Sequence, residues 1–344
     1  MDNISALKLM FMQVSGAGEV AAGASSTTTA SVEYPAGTFT QVKFNGGSTS
    51  AVIASGAVQL SDFASVSIPK GAQFWIRRFQ TTTALVYLVK TNGRPLNTSL
   101  GDAVNHNLGD LTMSGTVVDD GSGSMIPVSG IFGMTRLPTI GALGSSRMAG
   151  KFDQTLDSAG LYGYTRMFGG SFAFLDMAVG GEGIVSVAQG AGGALRRSLV
   201  NTYASHQWVD PGLNDINAGT AASAVLAAID AAAVQFPGGK TRTIVNNEAP
   251  WTTSTDAWAT SVNQTPFANE AQRVLLNTGI AGLSGYNQIV DAASFMSNGA
   301  NGSLWNNPAV GGSQYTTDGI HEISAPVVAL AAAGRFNPAL VHRP

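Results

Sequence analysis

The chain has 344 residues, more than one domain usually takes, and only 11% of them are charged, for a formal net charge of -3. It holds no run of Lys and Arg, so the electrostatic footprint of a nucleic-acid partner is missing. The absence of cysteine excludes disulfides, thiolate metal sites and thiol nucleophiles.

From the amino terminus, "MDNISALKLMFMQVSG" lacks a basic segment and its apolar stretch is broken by Lys8, so it reads as a first strand and not as a signal peptide. The strand runs into Gly16-Ala17-Gly18 and Ala21, a loose fit to a dinucleotide fingerprint. The next segment, "SSTTTASVEYP", is rich in β-branched residues and carries Pro35, which disfavours the helix that would hold a pyrophosphate. A turn between strands is the better account, and no cofactor is expected. Up to residue 135, the alternating runs "SVEYPAGTFTQVKF", "VQLSDFASVSI" and "TALVYLVKT" are punctuated by Gly, Pro and Asn. That pattern predicts an antiparallel, jelly-roll-like β-sandwich over residues 1–135. The segment "VVDDGSGSMIPVSG" reads as a linker, because its Gly, Ser and Asp favour turns.

Over residues 136–344 the rhythm changes. Short apolar runs ("LPTIGALGSS", "SFAFLDMAV", "RTIVNNEAP", "YNQIVDAAS") alternate with helix-like ones ("GGALRRSLVNTYA", "AASAVLAAIDAAAVQF", "FANEAQRVLLNTG", "APVVALAAAGRF"). Such alternation predicts an α/β domain, a parallel sheet covered by helices. No apolar run reaches the eighteen or so residues of a spanning helix. Even "TAASAVLAAIDAAAVQF" carries Asp230 in its middle. No membrane span is expected.

Four short motifs in this second part carry potential chemistry. In "IGALGSSRMAG" a strand runs into Gly144-Ser145-Ser146 and a helix-capable segment, so a serine oxygen would face free helix N–H groups. In "DMAVGGEGI" a strand ends at Gly180-Gly181, where a backbone N–H can approach a ligand closely. In "VDPGLNDI", Gly212, Asn214 and Asp215 follow the run "QWV", and an Asn amide there could donate to an oxyanion. In "TDGIHEIS", Asp318 and His321 stand three apart before an apolar helix-like run. Each alone is also an ordinary turn or cap sequence.

In chain order they read Gly-x-Ser, an isolated strand-end Gly, Gly-x-Asn-Asp and Asp-x-x-His, which resembles the four sequence blocks of the SGNH hydrolases, the GDSL esterase/lipase family. The resemblance covers residues 136–340. It implies a three-layer, flavodoxin-like hydrolase domain with Ser146 as nucleophile, His321 as general base and Asp318 orienting it. It also implies an oxyanion hole of the Ser146 and Gly181 backbone N–H groups and the Asn214 amide. The family's first-block Asp is replaced by Ser145, which leaves two adjacent serines as candidates, and the usual Asn after the second block's strand is missing.

Chemistry asks for the same residue types. A serine hydroxyl is a poor nucleophile until an imidazole takes its proton, and a carboxylate must hold that imidazole in one tautomer. Fixed N–H donors then stabilise the charge that develops on the carbonyl oxygen. His106, His206 and His342 have no carboxylate at comparable spacing and read as structural or surface residues. No metal site is expected. Trp208, Trp251 and Trp258 are candidates for a pocket wall or, more commonly for tryptophan, the core. The resemblance thus implies hydrolysis of a small-molecule or polysaccharide ester. O-acetyl groups on carbohydrate come first, short-chain lipid esters second, and a non-catalytic surface or virion carbohydrate-binding or structural protein is the rival.

Overall fold

A computed structural model of the protein describes residues 3–15, 19–21, 23–82, 98–121, 128–153, 163–168, 171–189, 193–306 and 314–342. Gly16-Ala17-Gly18, the whole run "TALVYLVKT" and the middle of the linker segment lie outside the described residues. The chain divides into two compact units, Met1–Arg136 and Leu137–Pro344.

The first unit contains strands β1 (Ile4–Met12), β2 (Val14–Ser15), β3 (Val20–Ala21), β4 (Ser26–Glu33), β5 (Phe39–Gln41), β6 (Ala51–Ile53), β7 (Val58–Leu60), β8 (Ala64–Ile68), β9 (Trp75–Thr82) and β10 (Gly130–Gly133). In one antiparallel sheet β1 pairs with β7, β8 and β10; in another β4 pairs with β5, β6 and β9. Alternation sends Leu7, Leu9 and Phe11 of the first sheet and Ala30 and Val32 of the second into one buried core with Val42, Phe44 and Ile53.

The second unit is built on a five-stranded sheet of β11 (Thr139–Leu143), β12 (Ala173–Asp176), β13 (His206–Val209), β14 (Thr243–Asn246) and, last in the sheet, Gln288–Val290. Every pairing is parallel. β13 and β14 are buried along their whole length, as a sheet covered on both faces requires. In space β12 comes first, then β11, β13, β14 and the Gln288–Val290 strand, so the order reverses between β11 and β13. This is the flavodoxin-like order, and ligands of such sheets bind beyond the carboxyl ends of the strands at the reversal. A short antiparallel pair, β15 (Thr252–Ser254) and β16 (Gln264–Pro266), precedes the last strand, which is therefore β17.

The helices are α1 (Ile184–Gln189), α2 (Ala194–Tyr203), α3 (Leu213–Asn217), α4 (Ala222–Val234), α5 (Glu270–Ala281), α6 (Ala293–Met296) and α7 (Ser324–Ala332). α4 is alanine-rich, a composition that favours helix, and buries Val225, Ala228, Ile229, Ala232 and Ala233 on one face. One sheet face presents Ile140, Ala142, Trp208 and Ile244 to Tyr164, Phe168, Val327, Leu330 and Phe336. On the other, Gly141 lies so close to α2 that an added Cβ would come within 2.6 Å of Val200. Helical layers therefore cover both faces. The fold is a three-layer, flavodoxin-like α/β arrangement, preceded in the chain by separate antiparallel sheets.

Candidate active site

Ser145 and Ser146 come directly after β11, at the reversal of strand order. Gly144 has φ +156°, and a Cβ there would lie 2.3 Å from the Cβ of Asp210, so no other residue lets the strand pass Asp210 and turn. The two serines then face different partners. Ser145 is buried and gives both its backbone N–H (3.1 Å) and its hydroxyl (2.5 Å) to Asp210 Oδ2. Ser146 is half-buried, with Oγ 2.7 Å from His321 Nε2.

His321 comes from the turn ahead of α7. Gly319 there has φ +76°, and a Cβ on it would overlap the Thr252 carbonyl oxygen at 1.9 Å and the Trp258 ring at 2.7 Å. Glycine lets the turn fold tightly enough for Asp318 Oδ1 to accept from the backbone N–H groups of Ile320 (2.9 Å) and His321 (2.8 Å). The other oxygen, Oδ2, lies 2.7 Å from His321 Nδ1. Burial works to raise the Asp318 pKa, but these hydrogen bonds, the His321 ring foremost, hold it well below the usual carboxylate range. An ionised carboxylate can only accept, so Nδ1 carries the proton and Nε2 is left to accept from the Ser146 hydroxyl.

Beneath this pair lies a buried ionic cluster. Arg147 is buried and donates through Nε to the Ile320 carbonyl (2.8 Å), through one terminal nitrogen to Glu248 (3.0 Å) and the Ala249 carbonyl (3.1 Å), and through the other to the Pro250 carbonyl (2.8 Å). It thus ties the residue after one serine to the residue before the histidine. Glu322 lies 3.9 Å from Arg147 Nε and neither of its carboxyl oxygens has a hydrogen bond. Burial, and next the Asp210 carboxylate, push Glu248 up to about 8 against the pull of Arg147. Burial raises Glu322 likewise. Both shifts favour the neutral acids, which lessens the penalty of burying charge around the guanidinium.

Gly181 is exposed in the turn after β12 and Asn214 lies in α3 after β13, so both follow the strands on either side of β11, at the carboxyl edge of the sheet. The Asn214 amide donates to the Glu182 carbonyl at 2.9 Å, joining the two loops and leaving its second N–H. Half-buried Asp215 accepts from Ile184 and Val185 backbone N–H groups, adding a second tie. No hydrogen bond joins Gly181 or Asn214 to Ser146 among the described residues.

The remaining candidates lie elsewhere. His106 pairs with Asp120 at 2.8 Å on the surface of the first unit, a carboxylate fourteen residues away. Buried His206 contacts Ser205, and burial followed by nearby Arg242 lowers its pKa to about 4; His342 is exposed. Trp208 is core, donating to Asn246 at 2.8 Å and stacked on Phe336. Trp251 stacks on Phe267, and Trp258 borders Gly319 while donating to Thr252 Oγ1 at 3.0 Å. Among the described residues, no group of three or more His, Cys, Asp or Glu is placed to hold a metal ion, and no helix is long and apolar enough to cross a membrane.

Arg147, Asp210 and Glu322 fall inside three of the quoted motif stretches and Glu248 inside "RTIVNNEAP", but the motifs give none of them a role. The available signal was adjacency in a chain so poor in charge: Arg147 is next to Ser146, Glu322 is next to His321, and Asp210 stands two residues before Gly212.

No family model matches the chain, and no curated protein matches it. Solved structures similar to the chain include lipases and esterases. A GDSL-like lipase described from Parabacteroides merdae is 12% identical over 60% of this chain and 98% of its own, with a TM-score of 0.41. A carbohydrate esterase of family 3 from Talaromyces cellulolyticus is 17% identical over 60% and 97%, with a TM-score of 0.37. The aryl esterase of M. smegmatis is 14% identical over 58% and 96%, also at 0.37.

Proposed function

We propose that the chain is a serine esterase of SGNH type, with Ser146 as nucleophile, His321 as base and Asp318 as the group that orients it. One observation carries this reading: an unbroken chain from Ser146 Oγ to His321 Nε2 and from His321 Nδ1 to Asp318, each link 2.7 Å. In acylation the Ser146 oxygen attacks the ester carbonyl carbon as its proton passes to Nε2. The Ser146 and Gly181 backbone N–H groups and the free N–H of Asn214 stabilise the oxyanion. Collapse breaks the bond to the alcohol oxygen, which takes the proton from His321. Water then attacks the acyl-serine, His321 again accepting and returning a proton, and the carboxylic acid leaves.

Ser145 is a supporting residue in this scheme, its oxygen being committed to Asp210. Short acyl esters of carbohydrate are the leading substrate class. We read residues 1–135 as a β-sandwich accessory domain and 136–344 as the hydrolase. The test is turnover of phenyl acetate by the full chain. Ser146→Ala is expected to lose several orders of magnitude in kcat with unchanged folding. Wild-type protein that is folded yet inactive on every acetate, at any serine, would favour a binding protein instead.

A further inference from the structure

One aromatic beside the base has no role in the scheme above. Phe152 has φ +67°, a left-handed conformation that is a true outlier for a bulky side chain. Its neighbours hold it there. The Lys151 N–H donates to the Ser146 carbonyl at 2.9 Å, and the Asp153 carboxylate is bound by Arg166 (2.8 Å from both Nε and a terminal nitrogen) and by the Ser324 hydroxyl. Strain of this kind persists where surrounding contacts over-determine it, and it clusters at functional sites. The constrained ring is not sunk into the core: it is 43% exposed, and its centroid lies 5.4 Å from that of His321, the planes at 50°. Lys151 Nζ sits 5.3 Å from the ring centroid.

We infer that Phe152 is the specificity residue for the alcohol half of the ester, selecting alcohols that present a flat apolar face, the C–H face of a sugar ring or an aryl ring, over small acyclic ones. The inference rests on the esterase reading. There, His321 delivers its proton to the departing alcohol oxygen, so the alcohol must lie against the imidazole while the carbonyl oxygen points to the oxyanion donors. A ring fixed in contact with the imidazole and open to solvent therefore meets the leaving group. A flat face stacks on it; an ethyl group covers little of it.

The prediction is specific to one step. Phe152 contacts a group that has gone once the acyl-enzyme forms, so it acts on acylation and not on deacylation. The test compares wild type, Phe152→Ala and Phe152→Trp on three acetates that share their acyl group: an acetylated methyl pyranoside, phenyl acetate and ethyl acetate. Phe152→Ala is expected to lower the ratio of kcat/KM for the pyranoside or the phenyl ester to that for ethyl acetate by about tenfold, near the top of the range for one aromatic contact. Phe152→Trp restores the ratio, and the deacylation rate from burst kinetics is the same in all three proteins. A loss for phenyl acetate alone assigns the site to aryl alcohols, and a loss for the pyranoside alone to sugars; either supports the inference. An equal loss on all three acetates, or an altered deacylation rate, would show that the ring acts on His321, and no loss would show that it acts on nothing; both overturn it. A wild-type protein without turnover or burst fails the esterase reading itself, a result distinct from these.

Discussion

Arg147 is the residue whose removal should be felt most widely, because four acceptors from two segments, 248–250 and 320, converge on one guanidinium. In Arg147→Met the carbonyls of Ile320, Ala249 and Pro250 lose a charged donor, and Glu248 loses its 3.0 Å partner in a site where both side chains are within 2% of full burial. Each buried acceptor left without a donor costs about 1–3 kcal/mol, so losing several together costs at least about 3–5 kcal/mol. In a unit of this size each kcal/mol lowers the midpoint by roughly 2–4 °C, so Tm should fall by about 6–20 °C. The sharper expectation concerns the pair. If the cost comes mainly from stranding acid groups, Arg147→Met with Glu248→Gln should recover a clear part of the loss, a coupling of about 0.5–3 kcal/mol. Arg147→Lys keeps the charge but cannot span four acceptors, and should fall between wild type and Arg147→Met. Thermal unfolding of the four proteins by circular dichroism gives the cycle. A shift of under about 2 °C for Arg147→Met, or a double variant as unstable as the sum of the singles, would refute the cluster as a unit.

The remaining expectations concern single positions. Asn214→Ala should lower kcat by roughly a hundredfold to a thousandfold with little change in KM, since an oxyanion bond strengthens only as charge develops; near-normal kcat with a lowered Tm would make it only the tie to Glu182. Ser145→Ala should keep a measurable rate while costing about 1–3 kcal/mol of stability through the lost bond to buried Asp210, and abolished turnover at unchanged Tm would move the nucleophile by one residue. Glu248 holds its proton more tightly in the folded state, up to about 8, than in the unfolded chain, at about 4.3. Its contribution is therefore full below the unfolded value and lost as pH rises through the folded one. Wild-type Tm should decline between about pH 5 and 8, and Glu248→Gln, which imitates the protonated acid, should flatten that decline; an unchanged slope in the variant would contradict the assignment.

What could be read from the chain alone was local. Gly144 and Gly319 mark places where backbone must pass another segment without a Cβ, and each stands next to the serine or the Asp-His pair it serves, so a short motif shows glycine and chemistry together. Short apolar runs such as "LPTIGALGSS" and "RTIVNNEAP", alternating with helix-like ones, announce a parallel sheet. The cluster around Arg147 was not legible, since its members at 147, 210, 248 and 322 belong to separate segments and only the sheet brings them together. Phe152 was hidden for another reason. Nothing in "GKFDQ" reveals a left-handed phenylalanine, because tertiary bonds of Lys151 and Asp153 impose that conformation. The resemblance implies Ser146, with Ser145 beside it as a second candidate; the bond from the Ser145 hydroxyl to Asp210, 65 residues away, was not legible in the sequence.

The central claim is that Ser146 is an activated nucleophile, and covalent labelling tests it most directly. Folded protein treated with a fluorophosphonate, digested and mapped by mass spectrometry is expected to carry one adduct, on Ser146. The adduct should be absent from Ser146→Ala and form far more slowly in His321→Gln, whose amide cannot take the proton. A folded wild-type protein that remains unlabelled, or one labelled at Ser145 or at any residue outside this site, would contradict the account.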